Sequence, residues 1–446
     1  MRQYQRDFTP DEFRARRQKL CEALGADGWI LLQGAGVQMG VETFRQDNAF
    51  YYFSGVEVPH AYLLINAADA QAILFLPHEA QVGREADGEI LCAENAEAVG
   101  QVTGVDQTLG VEALPGRLVR AGVLYVPFDG GQTRAVSAAT LRSWSARTAS
   151  DPWDGRQTRA ARLVETVRRR FPRIDVRDAS AAIAELRLVK SPAEIALLRR
   201  AGQLTAEGIR EAMRSTRPGV MEYQLDAVMR YHYVAGGAAG CGYHAIVAGG
   251  ANMWYGHYSR NDCELADGDW VLGDCAPDYH GYTSDIGRIW PVNGTYSPDQ
   301  RALYGFVVEY HKTLLAGIRP GRMLSEINEE AAEVMAGVLA DWRFGSPEHE
   351  EAARAMFAFR GHLSHCVGMT VHDGGLHHTR PLEPGIVFSV DPQMKVPDEK
   401  LYVRAEDTVV VTDDGIENLT SAAPLELDDV EAFMQEDGLL QTFPPV

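Results

Sequence analysis

Short apolar runs separated by polar turns organise the first part of the chain. Asp11 to Leu24 is predicted as a helix. Trp29-Ile30-Leu31-Leu32, Ala61 to Ile65, Ala72 to Leu76 and Val123 to Val126 read as buried strands. Strands that alternate with helical segments predict a small α/β sheet. This part carries no cluster of potential ligands, so a supporting or oligomerisation role is expected. Further on, Ser191-Pro192-Ala193-Glu194 is a capping box with proline at the first helical position. Apolar residues then fall at Ile195, Leu198, Ala206 and Ile209, in phase with a helix. The expected division is an N-terminal α/β domain over 1–178 and a larger α+β domain over 179–446.

The second part contains an internal echo. Arg217-Pro218-Gly219 with Met221 and Arg319-Pro320-Gly321 with Met323 each separate two helical stretches. Leu265-Ala266-Asp267-Gly268 leads into an apolar strand ending at Asp274. Leu382-Glu383-Pro384-Gly385 leads into another ending at Asp391. Two copies of one unit facing each other would bring their acidic strand ends together.

Those strand ends carry the candidate chemistry. Trp270 to Asp274 and Thr283 to Trp290 form a hairpin if the chain turns at Tyr279-His280. Asp274 then stands directly opposite Asp285, with Cβ atoms ~4.5–5.5 Å apart. Two bare carboxylates that close repel, and a divalent cation between them removes the conflict. Two solvated acids on an exposed hairpin are the other reading of this pair. The second half adds Ile386 to Val390 running into Asp391, and Leu401 to Asp407 as a period-two strand. Tyr402, Arg404 and Glu406 share one face of that strand. His362, His365 and His372 crowd a stretch rich in glycine and serine, and His257 follows Gly256.

Asp274, Asp285, His365, Asp391 and Glu406 therefore form the expected metal set. Four carboxylates and an imidazole suit two divalent cations with a bridging hydroxide. Such a cation pair, typically ~3.5–4 Å apart, lowers the pKa of water to roughly 7. Oxygen-rich donors with one nitrogen suit Mn²⁺ first, with Co²⁺, Fe²⁺ or Zn²⁺ also accepted.

Composition narrows the partners. The formal charge of −20 disfavours nucleic acid and anionic membranes. No run approaches the ~18–20 apolar residues of a membrane span, and the charged N-terminus lacks a secretory segment. A cytoplasmic protein is expected. The six cysteines are scattered without a CxxC pair and read as reduced thiols.

These motifs together resemble the pita-bread metallopeptidases, the group of aminopeptidase P, prolidase and methionine aminopeptidase. The resemblance rests on Leu272-Gly273-Asp274, Thr283-Ser284-Asp285-Ile286-Gly287-Arg288, His362 to Asp373, Phe388 to Pro392 and Arg404-Ala405-Glu406-Asp407. Phe44 to Pro59 and Leu186 to Ile195 are similar to the aminopeptidase P type. The resemblance implies a duplicated antiparallel sheet with helices outside, and homodimers or homotetramers. It implies hydrolysis of the bond between an N-terminal residue and a following proline. His257 and His372 would flank the scissile amide and steady the tetrahedral intermediate, and Arg404 would orient a carboxylate or the substrate. Two positions depart from the family pattern. Asp391 stands where glutamate is usual, about 1.5 Å shorter in reach, and Gly361 stands where aminopeptidase P members tend to carry histidine. Alternatives on the same scaffold are an Xaa-Pro dipeptidase, a creatinase-like or phosphotriester hydrolase, and a non-catalytic binding protein. Trp254, Tyr255 and Tyr258 are candidates for a proline pocket.

Overall fold

The computed structural model describes residues 4–25, 27–37, 43–81, 91–361 and 363–444. The chain divides into two compact units, Met1–Arg187 and Leu188–Val446. The helix Ser180–Leu186 belongs to the first, where it packs on the helix Pro10–Leu24.

The first unit is built on six strands: β1 (Trp29–Gln33), β2 (Tyr62–Asn66), β3 (Ala72–Leu76), β4 (Gln107–Gly110), β5 (Val123–Val126) and β6 (Asp175–Asp178). Their order is β4-β3-β2-β1-β5-β6. The β1-β2-β3 meander is antiparallel, and the flanking strands join it in parallel. Leu31, Leu64, Phe75, Leu124, Val164 and Val176 interlock in the core. β4 and β6 gave no apolar signal because they are edge strands. Asp175, Arg177 and Asp178 are all exposed.

The second unit holds β7 (Ile246–Gly249), β8 (Trp270–Asp274), β9 (Ile286–Pro291), β10 (Val387–Val390), β11 (Gln393–Val396), β12 (Leu401–Arg404), β13 (Glu406–Val411) and β14 (Ile416–Asn418). An antiparallel sheet runs β10-β13-β9-β8-β7, with β14 on β13 and a separate β11-β12 ribbon. Helices Pro192–Ser215, Glu222–Ala235 and Pro298–Gly317 pack against β9, β7 and β10 respectively. The helix Leu324–Asp341 follows the third as Glu222–Ala235 follows the first. The Ser191 capping box forms as expected: its side chain receives the Glu194 N–H and Glu194 receives the Ser191 N–H.

The echo in the sequence is a duplication in space. Gly219 and Gly321 have φ of 90° and 82°, in the left-handed region that glycine tolerates. The Gly219 N–H donates to Leu265 O at 2.9 Å, and the Gly321 N–H to Leu382 O at 2.7 Å. The Leu265 N–H returns to Val220 O and the Leu382 N–H to Arg322 O, both at 2.8 Å. Each half thus straps its inter-helix turn to the segment that launches its acidic strand. This is the α+β pita-bread architecture.

Two details of the sheet differ from the sequence reading. The hairpin turns at His280-Gly281, whose φ of 52° and 84° give the mirror-type turn that matches strand twist. Tyr279 and Tyr282 close it with reciprocal hydrogen bonds of 2.8 and 3.1 Å. Gly273 consequently faces Arg288, and Asp274 stands diagonal to Asp285 rather than opposite it. The register moves by two residues, so both carboxylates keep the same face. The stretch from Leu401 to Asp407 is also broken at Ala405: β12 stays in the ribbon and β13 enters the main sheet.

Candidate metal centre

Each acidic strand end is held by its neighbours. Gly273 precedes Asp274 because a side chain there would run into the buried Trp290 ring. Asp285 is clasped by Thr408, whose hydroxyl accepts the Asp285 N–H and donates to its carbonyl, both at 2.8 Å. The loop carrying His365 runs beside β10: the Ser389 N–H donates to His365 O and the Asp391 N–H to Leu363 O, each at 2.8 Å. A buried Lys190–Asp373 ion pair of 3.5 Å anchors the other end of that loop. Asp373 also receives the Thr370 hydroxyl at 3.2 Å. Glu406 opens β13 opposite Gly287.

These supports bring the predicted donors together. Oxygens of Asp274, Asp285 and Glu406 lie within 4.8 Å of one another, and so do ligand atoms of Asp285, His365 and His372. Asp285 belongs to both groups. The His365 Nε2 is 3.2 Å from Asp285 Oδ2 and 3.4 Å from Glu406 Oε1. The His365 and His372 rings are 3.9 Å apart, with His257 6.5 Å from His372. His362 lies outside the described residues.

Asp391 is placed differently. Its carboxylate belongs to neither compact group. Oδ2 accepts from Gln393 Nε2 at 2.5 Å and from Arg404 at 3.4 Å, while the buried Oδ1 has no partner. Arg404 Nη1 links this carboxylate to Glu406, at 3.4 and 3.0 Å, so Asp391 stands at the edge of the cluster with Oδ1 as a donor available to a cation. Tyr258 is buried, and its hydroxyl donates to Glu222 at 2.8 Å. Tyr255 is exposed.

Electrostatics explain why this arrangement calls for cations. Burial pushes the Asp274 carboxyl up to about 6, and Glu406 adds to the effect. Burial, then Glu406, does the same to Asp391, again to about 6. Asp285 is raised by burial and by Asp274. Burial opposes charge on His365, yet Asp285 and Glu406 outweigh it and hold the imidazole well above its usual value. Arg404 reaches the Asp274 carboxylate, Glu406 at 3.0 Å and Asp391 at 3.4 Å. One guanidinium cannot neutralise four buried carboxylates. Glu406 Oε1 and Asp391 Oδ1 remain buried without a hydrogen bond, an expensive state that bound cations relieve. The donor set fits divalent metals.

Sequence reasoning missed Tyr243. Its hydroxyl lies 2.8 Å from both Asp274 Oδ1 and Asp285 Oδ1, bridging the two acids from behind. Nothing in Gly242-Tyr243-His244 signals that role.

The fold and the oxygen-rich cluster define a metallohydrolase. A model of metallopeptidase family M24 matches residues 196–413, and one of the aminopeptidase P N-terminal domain matches residues 13–122. The chain is 32% identical to Xaa-Pro aminopeptidase of Escherichia coli (strain K12), over 96% of this chain and 98% of that protein. It is 30% identical to human Xaa-Pro aminopeptidase 3, over 94% of this chain and 85% of that one. The structure of zinc-substituted E. coli aminopeptidase P in complex with product superposes with a TM-score of 0.76 at 30% identity, covering 96% and 98% of the two chains. The chain belongs to metallopeptidase family M24, in its aminopeptidase P branch.

Proposed function

We propose that this protein is an Xaa-Pro aminopeptidase, a metal-dependent hydrolase of the bond between an N-terminal residue and proline. The observation that carries this is the convergence of Asp274, Asp285, His365 and Glu406 on one buried cluster, in a chain that aligns end to end with relatives bearing that name. Bound divalent cations would supply Lewis acidity and an activated water at neutral pH. Asp274, Asp285 and Glu406 would hold one, and Asp285, His365 and Glu406 the other, with Asp391 and His372 beside them. The oxygen-rich set favours Mn²⁺.

The protein's own groups do the positioning. Burial lowers the His257 imidazole below its usual value, and burial with the neighbouring His365 takes His372 down to about 3. Both rings are therefore neutral at working pH, and each offers one N–H to a substrate carbonyl or tetrahedral oxygen without carrying charge. Arg404 holds Asp274, Asp391 and Glu406 in register. A homodimeric or homotetrameric state in the cytoplasm completes the proposal.

The test compares an Xaa-Pro-Xaa tripeptide, an Xaa-Pro dipeptide and an Xaa-Ala-Xaa tripeptide, with manganese and after chelation. The expected result is metal-dependent release of the first residue from the Xaa-Pro-Xaa peptide, at least as fast as from the dipeptide. Cleavage of the dipeptide alone would make the protein an Xaa-Pro dipeptidase. Full activity after exhaustive chelation would remove the metal mechanism.

A further inference from the structure

Behind the metal cluster two thiols touch. Cys241 Sγ and Cys275 Sγ are 3.4 Å apart, both free. They sit on neighbouring antiparallel segments: Cys241 bridges Pro277, and the Gly242 N–H donates to Ala276 O at 2.8 Å. Cys275 is buried and Cys241 is half-buried, so a small oxidant reaches Cys241 first. Arg230 stands beside the pair, ion-paired to Asp226 at 3.2 Å, and its charge is reinforced first by Cys241 and then by Asp226. That guanidinium disfavours a further metal cation, although Asp226, Cys241 and Cys275 present ligand atoms within 4.8 Å.

We propose that Cys241 and Cys275 form a peroxide-responsive dithiol–disulfide switch that detunes the metal cluster. Hydrogen peroxide would oxidise the Cys241 thiol to a sulfenic acid, releasing one water. The Cys275 sulfur then attacks that sulfur, the S–O bond breaks, a second water leaves and the S–S bond forms. Two electrons pass from the sulfur pair to the peroxide. The sulfurs must close from 3.4 Å to about 2.05 Å. That movement is transmitted directly, because Cys275 follows Asp274 in the chain and Tyr243 lies two residues beyond Cys241. Displacing ligands by more than about 0.5 Å from productive geometry is enough to disable such a site.

The test treats the metal-loaded protein with hydrogen peroxide, alkylates the remaining thiols and maps peptides by mass spectrometry. A peptide pair joined through Cys241 and Cys275 is expected, together with metal affinity about tenfold weaker, both reversed by a thiol reductant. Cys241→Ser and Cys275→Ser should each keep their metal through the same treatment. Absence of the linked pair overturns the proposal. So does a linked pair with unchanged metal affinity, or equal peroxide-induced metal loss in wild type and both serine variants. The cross-link and the metal content are read without substrate, so they stand or fall separately from the peptidase assignment.

Discussion

The Tyr243 hydroxyl lies 2.8 Å from the Asp274 carboxylate, from which it is separated by thirty-one positions in the chain. The same oxygen is 2.8 Å from Asp285. A phenol has one proton to donate, so it stabilises one carboxylate at a time and fixes the orientation of both. Tyr243→Phe keeps the ring and removes that bond. We expect metal affinity or activity to fall roughly 10–100-fold, the usual cost of losing a partner of a metal ligand. Metal titration of the chelated variant reads it, and unchanged affinity with unchanged turnover would show the phenol to be a bystander.

Tyr243 also marks where sequence reading stops. β8 and β10 were legible because each is a short, fully buried run, the first ending in Asp274 and the second running into Asp391. The glycine straps were legible because a duplicated turn needs glycine at the same place twice. Tyr243 was not, because its role arises from tertiary proximity to two strand ends and leaves no local pattern. The hairpin register was missed for a related reason. Parity alone places Asp274 and Asp285 on one face, whereas the pairing depends on the left-handed backbone at His280 and Gly281. The break at Ala405 leaves no mark in the period-two pattern, and Arg404 and Glu406 still meet at 3.0 Å across it. The position of Asp391 in the repeat makes it a candidate ligand. Its engagement with Gln393 depends on a side-chain length that spacing does not weigh.

Asp285 is shared by both compact donor groups, whereas His257 is in neither. Asp285→Asn should therefore lower metal occupancy and activity together. His257→Ala should retain its metal and lose roughly 10²–10³-fold in turnover, as expected for a donor that meets only the transition state. Elemental analysis beside steady-state kinetics separates the two. Metal loss in the His257 variant would reassign that residue to the ligand set.

A pH dependence of stability follows from His311, which is wholly buried 3.5 Å from Asp407. Burial takes this imidazole down to about 4 from its usual 6.5. The unfolded chain then binds a proton that the folded one refuses, and folding stability falls as pH drops from about 6.5 towards 4. The shift corresponds to about 3 kcal/mol. Asp407, held low by Arg288 and His311 against the cost of burial, titrates below this window. Urea unfolding of the wild type and His311→Phe at pH 7 and pH 4.5 tests it. The variant should show a shallower pH slope, and parallel slopes would exclude His311 as the source.

Asp391→Glu asks whether the short acid is a handicap or an adaptation. The extra methylene adds about 1.5 Å of reach, enough to carry the carboxylate from the ribbon towards Glu406 and His365. It must also leave the Gln393 amide and crowd a buried site, and overpacking of that kind costs about 1–3 kcal/mol. These effects act on different states. The cation-free protein feels the crowding alone, while in the loaded protein the longer acid reaches further towards the cations. We expect Asp391→Glu to melt at lower temperature after chelation yet to bind its more weakly held cation about tenfold more tightly, the size expected for improved ligation. Calorimetric metal titration and thermal melts with and without chelator provide both readings. Weaker metal binding by the glutamate variant would mean that the backbone around Asp391 is adapted to the shorter side chain, and that Gln393 holds it where this site requires it.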